Sequence, residues 1–154
     1  MNRLIHYSDT ELQALYSIPA ERQSSISCYD KPKGLWVSVE GEDDWKSWCE
    51  AENFGCGALA YEIKLSKDAN ILYLSTASEI IAFTDEYSIE GNSRWDRKIN
   101  WSMVASKYHG IIIAPYCWSC RLTEHTIWYY GWDCSSGCIW NIDAIAGFDF
   151  IPPD

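Results

Sequence analysis

The sequence predicts an α+β domain, and three observations carry that prediction. Short alternating or apolar segments bounded by turn residues recur from residue 4 to residue 151, the pattern of strands. Capping residues precede short stretches of helical periodicity, most of them in the middle of the chain. The run Gly110-Ile111-Ile112-Ile113-Ala114 is apolar throughout, as expected of a central strand covered on both faces. Strands outnumber helices, so small helices packed on one or two sheets are the expected architecture. At 154 residues and 47% hydrophobic content, the simplest organisation is a single domain over 1–154. No repeat, low-complexity tract or linker interrupts it.

In chain order, residues 3–8 alternate as a first strand. Ser8-Asp9-Thr10-Glu11 has the spacing of a capping box and predicts a short helix over 9–16. Residues 17–33, with Pro19 and Pro32, read as a long loop. The segment 34–40 predicts a strand with Leu35, Val37 and Val39 on one face and Trp36 and Ser38 on the other. Asp43 or Asp44 caps a helix that carries Trp45, Trp48 and Cys49 and ends at Gly55 and Gly57. Two strands follow, at 61–65 and 71–74. Thr76-Ala77-Ser78-Glu79 opens a helix to about Tyr87, 91–100 is a polar connection, and Asn100 caps a helix over 101–108. After the central strand, 126–130 and 138–142 read as two strands, arranged as a hairpin around 133–137. Residues 148–151 form a final edge strand before Pro152 and Pro153.

The net charge of −10 argues against binding a phosphate backbone, which needs clustered Lys and Arg, and favours a basic protein partner or simply solubility. No apolar run reaches membrane-spanning length, and MNRLIHYSDT lacks an apolar signal core. The expected setting is therefore the cytoplasm, in a cell or in a virus-infected cell, with seven mostly reduced cysteines. Nine Trp and ten Tyr read either as core filling or as rings that line a cleft or an interface.

Candidate chemistry falls on few residues. His6, on the first strand, offers ring nitrogens to a hydroxyl or an amide, against the plainer role of a structural hydrogen bond. Trp36 offers a stacking ring and Ser38 a hydroxyl, against the plainer role of a half-packed sheet face. Trp45 and Trp48 read first as core, with one of them able to close over a ligand. Asp133 reads as a turn acid or as a carboxylate that stabilises developing positive charge on a sugar, with Glu40, Glu124 and Asp143 as competitors. Arg94 and Arg121 are solitary and read as surface ion-pair residues.

Cys117-Trp118-Ser119-Cys120 is a CxxC, followed after 13 residues by Cys134 and Cys138 as CxxxC. Four thiolates at this spacing give a second reading, a small zinc module, although the last pair is one residue longer than the usual knuckle. A thioredoxin-like redox site is disfavoured, because that motif opens a helix after an early strand and this one follows a late strand and Pro115. Burial as small hydrophobes is the preferred reading. His6, His109 and His125 have no GxSxG partner, and GxGxxG, P-loop and HExxH motifs are absent.

The order of Ile5-His6-Tyr7-Ser8, Lys31-Pro32-Lys33-Gly34-Leu35-Trp36-Val37-Ser38 with its following Trp45/Trp48 helix, Tyr61-Glu62-Ile63-Lys64-Leu65, Tyr108-His109-Gly110-Ile111-Ile112-Ile113 and Gly137-Cys138-Ile139-Trp140-Asn141 resembles small ADP-ribosyltransferase-like domains of the compact phage and bacterial type. That resemblance implies split antiparallel β-sheets with small flanking helices and NAD bound in the cleft. It implies that His6 holds the adenosine ribose and orients the nicotinamide amide, that Tyr7, Ser8, Trp36, Ser38 and Trp45 lie about the cofactor with Trp36 or Tyr7 as the stacking ring, and that Asp133 engages the nicotinamide ribose. The catalytic pair implied is Asp133 and His6. The family acid is usually Glu, often in an ExE pair, and Asp133 is one methylene shorter. The implied activity is transfer of ADP-ribose from NAD to a macromolecule, with a protein as the expected acceptor, in a toxin-like or viral counter-defence role. A non-catalytic inhibitor docking an acidic, aromatic surface on a basic host protein is the alternative of another class. Convergence of His6, Trp36 and Asp133 in one pocket discriminates the two.

Overall fold

A computed structural model of the chain describes residues 2–154. Seven strands form one sheet: β1 (Leu4–Ser8), β2 (Leu35–Val39), β3 (Leu59–Leu65), β4 (Ile71–Leu74), and, numbered to include a separate ribbon of β5 (Ser88–Ile89) and β6 (Lys98–Ile99), β7 (Gly110–Ile113), β8 (Ser136–Ile139) and β9 (Ile145–Ile151). The sheet order is β4-β7-β8-β2-β1-β3-β9. Only β4 and β7 pair in parallel, joined by a crossover that carries α2 (Ala77–Tyr87), the ribbon and α3 (Trp101–Lys107); α1 (Trp45–Ala51) follows β2. The α+β class therefore holds. The expected pair of split sheets is instead one continuous sheet and a two-stranded ribbon.

The continuity is narrow. β1 pairs with β3 along its whole length, Leu4 to Ser8, and β2 pairs with β8 from Leu35 to Ser38. Between β1 and β2 the ladder has only two pairs, Leu4 with Val39 and Ile5 with Ser38. The block β4-β7-β8-β2 thus joins the block β1-β3-β9 at one end, and the strands part beyond it. Alternation along β2 follows the expected faces. Val37 and Val39 enter a cluster with Leu4, Tyr61 and Ile63, while Trp36 packs against the larger cluster of Trp101, Trp128, Trp132 and Trp140 on the opposite face.

Local capping signals are realised. Thr76 and Glu79 form a reciprocal box, with Glu79 N–H donating to Thr76 Oγ1 (3.1 Å) and Ser75 N–H to Glu79 Oε1 (2.9 Å). Asn100 Oδ1 accepts from Met103 N–H at 3.1 Å. Asp44 caps α1, its carboxylate accepting from Ser47 N–H (2.9 Å) and from Gly41 N–H (3.0 Å). The helix ends earlier than Gly55: Asn53 takes φ 54°, and Phe54 N–H reaches back to Cys49 O at 2.8 Å, the left-handed cap that Asn tolerates.

Three expectations fail for identifiable reasons. No helix forms over 9–16, because Ser8 Oγ binds Thr10 locally (Thr10 N–H to Ser8 Oγ, 3.1 Å) and Leu12 docks on the sheet, its N–H donating to Tyr61 Oη at 3.0 Å. The stretch 126–130 is a 3-10 helix (Ile127–Gly131), which buries Ile127, Trp128 and Tyr129 together where a strand would have turned alternate residues outward. No hairpin therefore surrounds 133–137; β8 pairs with β2 and β7. The polar connection 91–100 includes β6, so the ribbon was not foreseen.

Candidate functional site

Where β1 and β2 part, the surface opens into a concave pocket of about 340 Å3, within the range of small-molecule sites. His6 and Tyr7 come from β1, Trp36 and Ser38 from β2, Trp45 from the first turn of α1, and Asp133 from the segment leading into β8. Ser8 lies outside the lining, with its hydroxyl donating to Thr10 O at 2.7 Å. The remaining wall includes Lys31, Trp132, Cys56 and Ser136, which the sequence did not single out, and Cys134, which it read as part of a thiolate set. Lys31 lies in the long loop 17–33, and Trp132 adjoins Asp133. Both reach the site only through tertiary packing.

His6 fills the gap left by the missing ladder pairs. Its Nδ1 lies 2.7 Å from Trp36 O. A carbonyl only accepts, so Nδ1 carries the hydrogen, and in the neutral tautomer this selects, Nε2 is an acceptor. Trp36 meets Trp132 edge-on, with ring centroids 4.9 Å apart, and Lys31 Nζ lies 5.5 Å from the Trp36 ring centroid. Trp132 is buried and its indole N–H has no acceptor, an unpaid desolvation cost unless a ligand or water supplies one. Ser38 Oγ accepts from Trp45 N–H at 2.9 Å, which fixes the start of α1 against β2. Trp45 stacks on Trp48 (5.0 Å, 12°) and donates through Nε1 to Cys56 O (3.2 Å), so it is a braced wall of the pocket rather than core.

Electrostatics divide the polar groups into donors and acceptors. Burial, reinforced by Asp44, Cys56 and Glu40, pushes the Tyr7 hydroxyl up to about 12, which keeps it a neutral donor at physiological pH. Burial likewise pushes the Cys134 thiol up to about 12, with Asp133 adding to the shift, so this sulfur is a neutral wall and no nucleophile. Among the described residues Asp133 accepts no hydrogen bond and joins no ion pair, which leaves its carboxylate lone pairs open. Its competitors are engaged or remote. Glu40 receives a bidentate Arg3 (3.0 and 2.7 Å), Glu124 is paired with Arg94, and Asp143 lies outside the pocket.

The other candidates take structural roles. His109 Nδ1 accepts from Asn70 N–H at 3.0 Å, and His125 Nε2 lies 2.7 Å from Asp85 Oδ1 but without the geometry of a hydrogen bond. Arg121 lies over the rings of Trp118 and Tyr130. The four-thiolate set does not assemble: Cys138 sits in the apolar core with Sγ donating to Pro32 O (3.6 Å), Cys134 lines the pocket, and no group of three or more His, Cys, Asp or Glu side chains among the described residues could hold a metal ion. No helix among them is long and apolar enough to cross a membrane.

No protein-family model, curated protein or solved structure matches the chain. The site is therefore read from its own chemistry.

Proposed function

We propose that the pocket binds NAD through its nicotinamide-ribose end and that the protein transfers ADP-ribose to a macromolecular acceptor. What carries the reading is the convergence of His6, Trp36 and Asp133, from positions 30 and 97 residues apart in the chain, on one concave site. An acidic docking protein needs no such pocket, and its surface chemistry would not require an unengaged carboxylate beside paired aromatic rings.

The residues suit this ligand. Trp36 offers a flat ring to a heterocycle, braced by Trp132. The Tyr7 hydroxyl and the Ser38 hydroxyl offer donors for amide and ribose oxygens, and His6 Nε2 offers an acceptor. NAD supplies a ribosyl carbon that gains positive charge as neutral nicotinamide departs. Asp133 sets a negative charge in a half-buried position, where it is worth more than in water. His6 and Trp45 are held by backbone carbonyls and Ser38 by the start of α1, so the donors and walls need little reorganisation. The net charge of −10 favours a basic protein as acceptor in a cytoplasmic setting.

Calorimetric titration with NAD tests the binding step. Saturable binding by the native protein, weakened at least about tenfold in Trp36→Ala by loss of a stacking surface, is the expected result. Absence of binding by the native protein would remove the proposal.

A further inference from the structure

The CxxC segment lies outside the pocket and has no role in the chemistry above. Cys117 precedes the 3-10 helix Trp118–Cys120, and Cys120 N–H donates to Cys117 O at 3.1 Å. Cys117 and Cys120 are the first and last residues of this turn, so their Cα atoms come within about 7 Å, close to the upper end of the span a disulfide bridges, and the two thiols interact directly. The two sulfurs differ in access. Cys117 is partly exposed and Cys120 is buried beneath it, at 3% exposure. Cys117 is held in place: its N–H donates to Tyr129 Oη at 3.1 Å, and its Sγ lies 3.4 Å from Ser119 Oγ. Trp118 and Leu122 project beside it, both largely exposed.

We propose that Cys117 and Cys120 form a redox-active dithiol, in which Cys117 attacks an incoming disulfide and Cys120 resolves the product. The Cys117 thiolate bonds to one sulfur of the disulfide RS–SR, and the S–S bond breaks with its electron pair leaving on the other sulfur as RS−, which takes up a proton. The Cys120 thiol then loses its proton and attacks Cys117 Sγ, and the second RS− departs. The dithiol loses two electrons and two protons, and the disulfide becomes two thiols. The proton affinities agree with these roles. Burial raises that of Cys117, but hydrogen bonds from Ser119 and Cys120 outweigh it and leave the thiol below its ordinary value. Burial, with the neighbouring Cys117, pushes Cys120 up to about 11.

Cys56 provides an internal comparison, since it too is half-buried and interacts with a buried thiol, that of Cys49. The test uses the native, fully reduced protein with glutathione disulfide as probe, followed by peptide mapping under non-reducing conditions. The expected product is a Cys117–Cys120 disulfide. In Cys120→Ala it is a stable glutathione adduct on Cys117, and in Cys117→Ser no adduct forms on Cys120. Because Cys120 belongs to the core and its replacement perturbs folding, brief alkylation of the native protein by iodoacetamide gives a variant-free readout. Cys117 is expected to react at least about tenfold faster than Cys56. A Cys49–Cys56 bond, labelling of Cys56 ahead of Cys117, or no intramolecular bond would overturn the proposal.

Discussion

His6 has two separable jobs, and one pair of variants distinguishes them. Nδ1 closes the seam between β1 and β2 by donating to Trp36 O at 2.7 Å, and Nε2 is the acceptor offered to the proposed ligand. His6→Ala removes both. A typical hydrogen bond is worth about 1 kcal/mol net, and stranding the Trp36 carbonyl in a half-buried seam raises the cost to about 1–3 kcal/mol. For a chain of this size that corresponds to a fall in melting temperature of roughly 2–10 °C. His6→Asn keeps an amide N–H near the Nδ1 position and lacks Nε2, so its stability is expected within about 0.5 kcal/mol of the native protein. On the proposed reading both variants lose one hydrogen bond to NAD, and binding is expected to weaken by roughly 2–10-fold. The assay is thermal unfolding with and without NAD. If His6→Asn is as destabilised as His6→Ala, or if His6→Ala unfolds like the native protein, the seam does not depend on this bond and the reasoning fails.

Three further outcomes follow from the packing. Asp44→Ala strands the N–H groups of Ser47 and Gly41 and is expected to cost about 1–2 kcal/mol, or more if both donors stay dry, measured by urea denaturation with an unchanged m-value. Gly137 lies in β8 between β2 and β7, and a Cβ there would sit 2.5 Å from Ile111 O and 2.6 Å from Ile112 Cγ1, so Gly137→Ala is expected to cost about 1–3 kcal/mol by overpacking. Burial pushes the hydroxyls of Tyr7, Tyr87 and Tyr116 up to about 12. Unfolded tyrosine ionises near pH 10, so the unfolded chain releases these protons first. Stability is full below about pH 10 and falls between about pH 10 and pH 12, which spectrophotometric titration of tyrosinate alongside unfolding checks; tyrosines that titrate near pH 10 in the folded protein would contradict it.

Most of the fold was legible where a signal is local. Thr76 with Glu79 and Asn100 before Trp101 mark helix starts that need no tertiary information, and the alternation of Trp36-Val37-Ser38-Val39 assigns faces directly. The failures lie where local options compete. Ser8-x-x-Glu11 offers a capping box, yet the same Ser8 hydroxyl serves a two-residue turn, and the dock of Leu12 on Tyr61 decides for the turn. The stretch 127–129 has strand propensity, but three successive large side chains are buried only by winding, with Trp128 and Tyr129 entering the cluster of Trp101 and Trp132. In the site, His6, Trp36 and Ser38 were legible because neighbouring strands present them together. Lys31 and Trp132 reach it by long-range packing, and the place where the β1–β2 ladder stops is a property of register that alternation does not encode.

The central claim rests on Asp133 and Trp36 lining one pocket. Incubating the native protein with labelled NAD and a cell lysate, while following nicotinamide release and transfer of label, tests it most directly. The account predicts nicotinamide release with label on a discrete protein, reduced at least about 100-fold in Asp133→Asn, the loss expected when a charge aimed at the transition state is neutralised. No nicotinamide release and no transfer by the native protein, or equal activity in Asp133→Asn, would contradict it.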